Sequence, residues 1–179
     1  MAGQRTLSET EFAVSARLGD LNLDFEAMAV ASNLFRAANA VRNHLERTVL
    51  AKEDLTWTAF VVLWVVWIWE PIETRQIAEE GGFSKATLSG VLTTLENRNL
   101  LTRSRGASDG RLVEVTLTTQ GRRLMKRLFP KFNDEERHVA RYLEGQEKQQ
   151  AAGFLRDLIR AVEKDSAPVE SPRNKSDAT

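Results

Sequence analysis

The sequence predicts a mainly α-helical fold with a small β-hairpin wing, and three observations support that class. Between Asp20 and Glu70 there is no Gly or Pro, and apolar residues recur at helical spacing. Pro71, the Gly81-Gly82 pair and Asn99 then punctuate the chain into short segments. Finally, residues 100–117 hold two strand-like runs around a turn-rich GASDG stretch.

A length of 179 residues suits one domain with tails and is ample for a buried core. Hydrophobic residues at 42% and charged residues at 28% exclude wholesale disorder. The absence of cysteine removes disulfides, thiol nucleophiles and thiolate zinc sites. His44 and His138 are the only histidines, too few for an imidazole metal site, and no metal or cofactor is expected. With 25 basic and 25 acidic side chains the formal net charge is zero, which argues at first against a nucleic-acid partner.

Taken in order, residues 1–20 are mixed and polar and read as a flexible N-terminal tail. The stripe Phe25, Met28, Ala29, Ser32, Phe35, Ala38, Asn39 and Arg42 predicts a helix, with Asp24 near its start where the helix dipole favours an acid. Thr56 is placed to cap a second element that Pro71 halts after Glu70. Its many valines also suit a strand, but strands usually span about 4 to 8 residues and this run is longer. Trp57, Phe60, Trp64, Trp67 and Ile68 share one side of a helical wheel, and Val62, Val65, Val66 and Trp69 cover the other. It therefore reads as a central core helix, buried on most sides. Its apolar run, Ala59 to Trp69, falls well short of the roughly 20 residues that span a bilayer, and the N-terminus lacks a signal-peptide core. A cytoplasmic protein with no membrane partner is expected.

Ile72 to Glu80 reads as a short helix closed by Gly81-Gly82. Ser84 then caps a helix whose Leu88, Val91, Leu92 and Leu95 face a core. Lys85, Ala86, Thr87, Ser89, Gly90 and Thr93 are left pointing outward. Asn99 suits the left-handed position that ends this helix. The strands Leu100 to Arg105 and Arg111 to Leu117 follow, and helix, glycine turn, helix and hairpin make a winged helix-turn-helix layout. Thr118 is an N-cap for a helix through Arg127, kinked at Pro130 and reaching Tyr142. Gly145 precedes a last helix with Phe154, Leu155, Leu158, Ile159 and Val162 on one face, and residues 165–179 read as a flexible C-terminal tail.

The stretch FSKATLSGVLTTLENRNLLTR, the Asp109-Gly110-Arg111 wing motif and the closing LTTQG at Leu117 to Gly121 together resemble the multiple-antibiotic-resistance regulator (MarR) family. Flanking helices fit as well, so the resemblance covers residues 21–164 as a single domain. It assigns 56–117 to the winged helix-turn-helix and 21–55 with 118–164 to a helical dimerisation region. Two departures stand out: Gly90 and Asn99 occupy positions where the family often has a basic side chain and a glycine.

Physics supports DNA binding by this segment. A recognition helix in the major groove needs a small or polar outer face, which Ser84, Lys85, Ala86, Thr87, Ser89 and Thr93 supply. A hairpin tip bearing Arg111 suits the negative potential of the neighbouring minor groove. Asp109 reads as a residue that orients an arginine, since phosphate repels a carboxylate. Arg103 and Arg105 are candidates either for phosphate contact or for that pairing. The run Arg122, Arg123, Lys126 and Arg127 is either a solvated helix face or a surface near DNA.

The resemblance further implies a homodimer, hence two recognition helices about 34 Å apart and a palindromic operator on double-stranded DNA. It also implies a small aromatic or phenolic effector held between the dimer helices and the winged region. Trp57, Trp64, Trp67 and Trp69 lie on the helix that would border that cleft, and Asn39, Arg42 and His44 could anchor a ligand there. The expected function is a ligand-released repressor; a winged-helix protein-interaction module without sequence-specific DNA binding is the alternative. No phosphate loop, metalloprotease motif or nucleophile elbow is present, so no enzyme is expected.

The zero total also divides unevenly. Residues 84–127 hold nine basic and three acidic side chains, a net of +6, and the remainder carries −6. Only uniform basicity is excluded, and a basic reading surface on an acidic body remains compatible with DNA.

Overall fold

The computed structural model describes residues 5–105 and 112–166. The chain divides into two compact units, Met1–Glu136 and Arg137–Thr179, where the sequence suggests one domain over 21–164. In the first unit the elements are α1 (Leu7–Leu18), α2 (Phe25–Thr48), a 3₁₀ turn (Leu50–Glu53), α3 (Trp57–Trp69), β1 (Ile72–Glu73), α4 (Thr74–Gly81), α5 (Lys85–Asn97), β2 (Leu101–Arg105) and β3 (Val113–Leu117). Helix α6 (Thr119–Val139) begins in the first unit and ends in the second, which also holds α7 (Glu147–Ser166).

The start of the chain corrects the expectation of a loose tail. Thr6 Oγ1 accepts the Glu9 backbone N–H while the Glu9 carboxylate accepts that of Thr6, a capping box that sets α1. Asn33 Nδ2 on α2 donates to Glu11 at 2.8 Å and ties the two helices together. Asp24 caps α2 through the Ala27 N–H, as its position suggests.

Helix α3 starts at the Thr56 cap and stops at Glu70, and the peptide to Pro71 is cis. It buries Ala59, Phe60, Val62, Leu63, Val65 and Val66. The all-round apolar reading overstates its burial: Ile68 and Trp69 in the last turn are 47% and 62% exposed. The helix stands at the centre of a core completed by Leu45, Leu50, Ile77, Leu92, Leu101, Leu117, Met125 and Leu128. Phe60 stacks on Phe132 at 4.2 Å between ring centroids, and Trp64 stacks on Phe129 at 4.5 Å, so α3 and α6 join along an aromatic seam.

Ile72 is strand, not the first turn of a helix. It pairs with Val115 in an antiparallel sheet of order β1-β3-β2, and α4 begins only at Thr74. The cause is non-local, since burying Ile72 against the sheet requires β3 from much later in the chain. Hairpin register runs from Leu101 opposite Leu117 to Arg105 opposite Val113. Val115 and Leu117 face inward, as their alternation suggests.

The glycine of the LTTQG motif has a steric reason. A Cβ on Gly121 would lie 1.9 Å from the Leu100 carbonyl oxygen, so only a glycine lets the first turn of α6 pack on the start of the hairpin. Thr118 caps this turn through the Gly121 N–H at 3.0 Å. Helix α6 then continues through Pro130 and ends at Val139, short of Tyr142.

In the second unit, Gly145 adopts the left-handed conformation, φ +48°, just before α7. Phe154, Leu155, Ile159 and Val162 on α7 are exposed, and Leu158 is half-buried. No helix among the described residues is long and apolar enough to cross a membrane.

Candidate nucleic-acid interface

Helices α4 and α5 are set against each other by the turn between them. Gly82 takes φ +65°, a conformation that side-chain-bearing residues resist, and the Phe83 N–H donates back to the Ala78 carbonyl. Ser84 Oγ then accepts the Thr87 N–H at 3.1 Å and starts α5. Leu88, Leu92 and Leu95 are buried, and Val91 is half-buried. Ser84, Lys85, Ala86, Thr87, Ser89, Gly90 and Thr93 are all exposed, so every proposed α5 contact lies on the outer face.

Several of these hydroxyls already serve the helix. Ser84 and Thr87 hydrogen-bond to each other at 2.8 Å, and Thr93 Oγ1 donates to the Ser89 carbonyl at 3.0 Å. Their remaining lone pairs and the threonine methyls are what they can offer a base edge. A Cβ on Gly90 would meet nothing within 4 Å, so this residue leaves a gap in the outer face that no neighbour fills. Beside Lys85 lies a cleft of 400 Å³ lined by Arg75, Leu88, Ser89, Leu92 and Arg103.

Arg103 has a partner that the sequence did not suggest. Its Nε donates to Glu96 on α5 at 3.0 Å, a second guanidinium nitrogen bonds the same carboxylate, and its backbone N–H reaches the other oxygen at 3.3 Å. The Arg103 hydrogen bond holds the Glu96 carboxyl below the ordinary range, against an opposing effect of burial. Arg103 thus clamps the hairpin to α5. Arg105 at the end of β2 is exposed. Asp109 and Arg111 lie outside the described residues.

The positive segment is less uniformly available than its formula suggests. Arg98 donates to the carbonyls of Asp54 at 2.6 Å and Glu53 at 2.8 Å. Arg122 pairs with Glu70 and Arg127 with Glu53, each at 2.8 Å. The Glu70 carboxylate also accepts the Leu117 N–H at 2.6 Å, joining the end of α3, the end of the hairpin and α6. Lys85, Arg105, Arg123 and Lys126 are exposed cations outside these pairs.

The candidate ligand anchors on α2 do not all share one face of the helix. Residues two apart on a helix are about 200° apart around it, so Arg42 and His44 point to opposite sides of α2. Asn39 and Arg42 are exposed, whereas His44 is half-buried with its Nε2 2.7 Å from Glu135 on α6. Trp57 packs on Phe60 and Phe132 with ring centroids 6.2 Å away, and Trp64 and Trp67 pack on each other and on Phe129. All three tryptophans are half-buried and Trp69 is exposed. Among the described residues, no group of three or more His, Cys, Asp or Glu could hold a metal ion.

Comparison with known proteins agrees with this geometry. A model of the MarR family matches residues 55–113. An uncharacterized HTH-type transcriptional regulator of Bacillus subtilis (strain 168), YwaE, is 38% identical over 137 residues, which cover 76% of this chain and 80% of that protein. The solved structure of Bordetella bronchiseptica BpsR, whose DNA binding is regulated by 6-hydroxynicotinic acid, is 28% identical with a TM-score of 0.65, covering 72% of this chain and 97% of BpsR. AbsC of Streptomyces coelicolor, a MarR family transcriptional regulator, superposes with a TM-score of 0.70 at 23% identity, over 79% of this chain and 97% of AbsC.

Proposed function

The chain belongs to the MarR family of DNA-binding transcriptional regulators, and from that premise we propose a homodimeric repressor that binds a palindromic operator and is released by a small aromatic effector. One observation carries the DNA contact. Helix α5 turns its leucines into the core and leaves a small, polar outer face with Lys85 in its first turn. In this reading α5 lies in the major groove and Lys85 meets phosphate, while Ala86, Thr87, Ser89 and Thr93 face base edges. Arg105 reaches the backbone beside the wing, and Arg111 enters the minor groove with Asp109 orienting it. Arg103 supports these contacts from behind through Glu96.

Exposed apolar side chains support self-association. In the first unit Phe12 on α1 and Phe35 on α2 are 77% and 72% exposed, and in the second unit α7 exposes Phe154 and Ile159. Such apolar surface is usually buried by a partner. The regulation of BpsR by a hydroxylated aromatic acid supports an effector of that class, with Trp57, Trp64 and Trp67 as aromatic walls and Asn39, Arg42 and His44 as candidate anchors. Since Arg42 and His44 diverge around α2, they would serve one ligand only from different sides.

A gel shift on the DNA upstream of its own gene, run across salt concentrations, tests the reading. Log affinity should fall linearly with log salt at about −0.9 per neutralised phosphate, and Lys85→Ala should weaken binding uniformly and reduce the slope by about one. No shift at any salt sinks the DNA assignment. An unchanged slope sinks the role of Lys85. Hydroxylated aromatic acids should change tryptophan fluorescence and release the DNA; silence in both measurements removes the effector.

A further inference from the structure

Away from the α5 reading face, a cavity of 350 Å³ is bounded by the 3₁₀ turn, the end of α5, the start of β2 and the first turns of α6. It is lined by Glu53, Arg98, Gln120, Arg123 and Arg127, with the buried Leu100 and Leu124 beneath them. We propose that this cavity is a binding site for a small oxyanion, a carboxylate or phosphate group.

Charge is the first argument. Three arginines and one glutamate line the cavity, so two positive charges remain formally unneutralised there. Like charges gathered on one cavity repel, and an anion between them reverses the sign of that interaction. The second argument is preorganisation. Arg98 is fixed by two hydrogen bonds to the carbonyls of Glu53 and Asp54, which use two of its five N–H groups. Arg127 is steered by a 2.8 Å bond to Glu53, and Arg123 is exposed one turn earlier on α6. Gln120 is held by Asn99 at 3.2 Å and donates to the Arg98 carbonyl at 3.4 Å. Guanidinium groups bind carboxylate and phosphate through paired N–H donors, and the nearby start of α6 adds the positive end of a helix dipole.

The test titrates the full-length protein with inorganic phosphate and with benzoate at constant ionic strength, following arginine Nε–H resonances by NMR. Saturable shifts at Arg98, Arg123 and Arg127 are expected, weakened about tenfold by Arg123→Gln and left unchanged by Lys126→Gln, which changes an exposed cation of the same helix outside the cavity. Tighter binding of benzoate identifies a carboxylate ligand; tighter binding of phosphate identifies a phosphate ester. Linear, non-saturating shifts with both probes overturn the proposal, as does equal weakening by the two variants, which would mean diffuse attraction to a basic surface. The titration contains no DNA, so its failure is distinguishable from failure of the proposed α5 and wing contacts.

Discussion

The same substitution at two glycines should move stability in opposite directions. Both Gly90 and Gly121 are helical, so replacing either by alanine removes backbone freedom from the unfolded chain and favours folding by about 0.5–1 kcal/mol. At Gly90 nothing opposes this, since a Cβ there meets no atom within 4 Å. Gly90→Ala should therefore stabilise by that amount. At Gly121 the added Cβ would sit 1.9 Å from the Leu100 carbonyl oxygen and 3.0 Å from its carbon. Carbon and oxygen approach no closer than about 3.3 Å even in favourable contacts, so α6 or the start of the hairpin must move by more than an ångström. The obstacle is backbone that also accepts the Thr118 N–H at 3.1 Å, so rotating a side chain cannot relieve it. Overpacking of this kind costs about 1–3 kcal/mol or more and exceeds the helix gain, leaving Gly121→Ala destabilised by roughly 2 kcal/mol. Urea denaturation at fixed protein concentration measures both variants, with concentration held constant because the proposed self-association would link stability to mass action. Equal stabilisation by the two alanines would refute the steric account of Gly121, and destabilisation by Gly90→Ala would refute the open face of α5.

Glu96→Gln should cost about 1 kcal/mol near neutral pH, because the clamp to Arg103 is charge-assisted but about one-third exposed. The Glu96 carboxyl titrates lower in the folded than in the unfolded chain, so its contribution is present above the unfolded value of about 4.3 and lost as pH falls through the folded value. A wild-type-to-variant gap that stays constant through that acid range contradicts the clamp. Phe132→Ala removes a buried ring that stacks on Phe60 and should destabilise by about 3–5 kcal/mol in chemical denaturation; a loss below about 1 kcal/mol would mean the seam closes without it. Glu70→Gln takes the charge from the acceptor of Arg122 and the Leu117 N–H and should lower stability by about 1–2 kcal/mol, with an unchanged unfolding midpoint as the contrary result.

Much of the fold was legible because its causes are local. Thr56, Ser84 and Thr118 each bond a backbone N–H three residues ahead, and Asn99 ends α5 with φ +54°. Helix α1 was missed: Thr6 and Glu9 have capping-box spacing, but the polar composition of the segment pointed to a tail. Strand β1 was hidden. Two residues carry no period, and Ile72 becomes strand only because Val115 arrives beside it. The outer face of α5 could be read from its leucines, whereas the duties of Arg103, Arg122 and Arg127 could not.

The sequence by itself determined the helices with their caps, the hairpin alternation and the family layout of the DNA-binding region, because capping and periodicity act between residues within about four positions. Only the tertiary structure decided which cations are bound internally and which face outward. Charge pairing depends on chain reversals that bring Glu96 under Arg103, Glu53 against Arg127 and Glu70 against Arg122. The net charge of the basic segment is therefore written in the sequence, while the part of it that can meet an anion depends on distances set by the folded core.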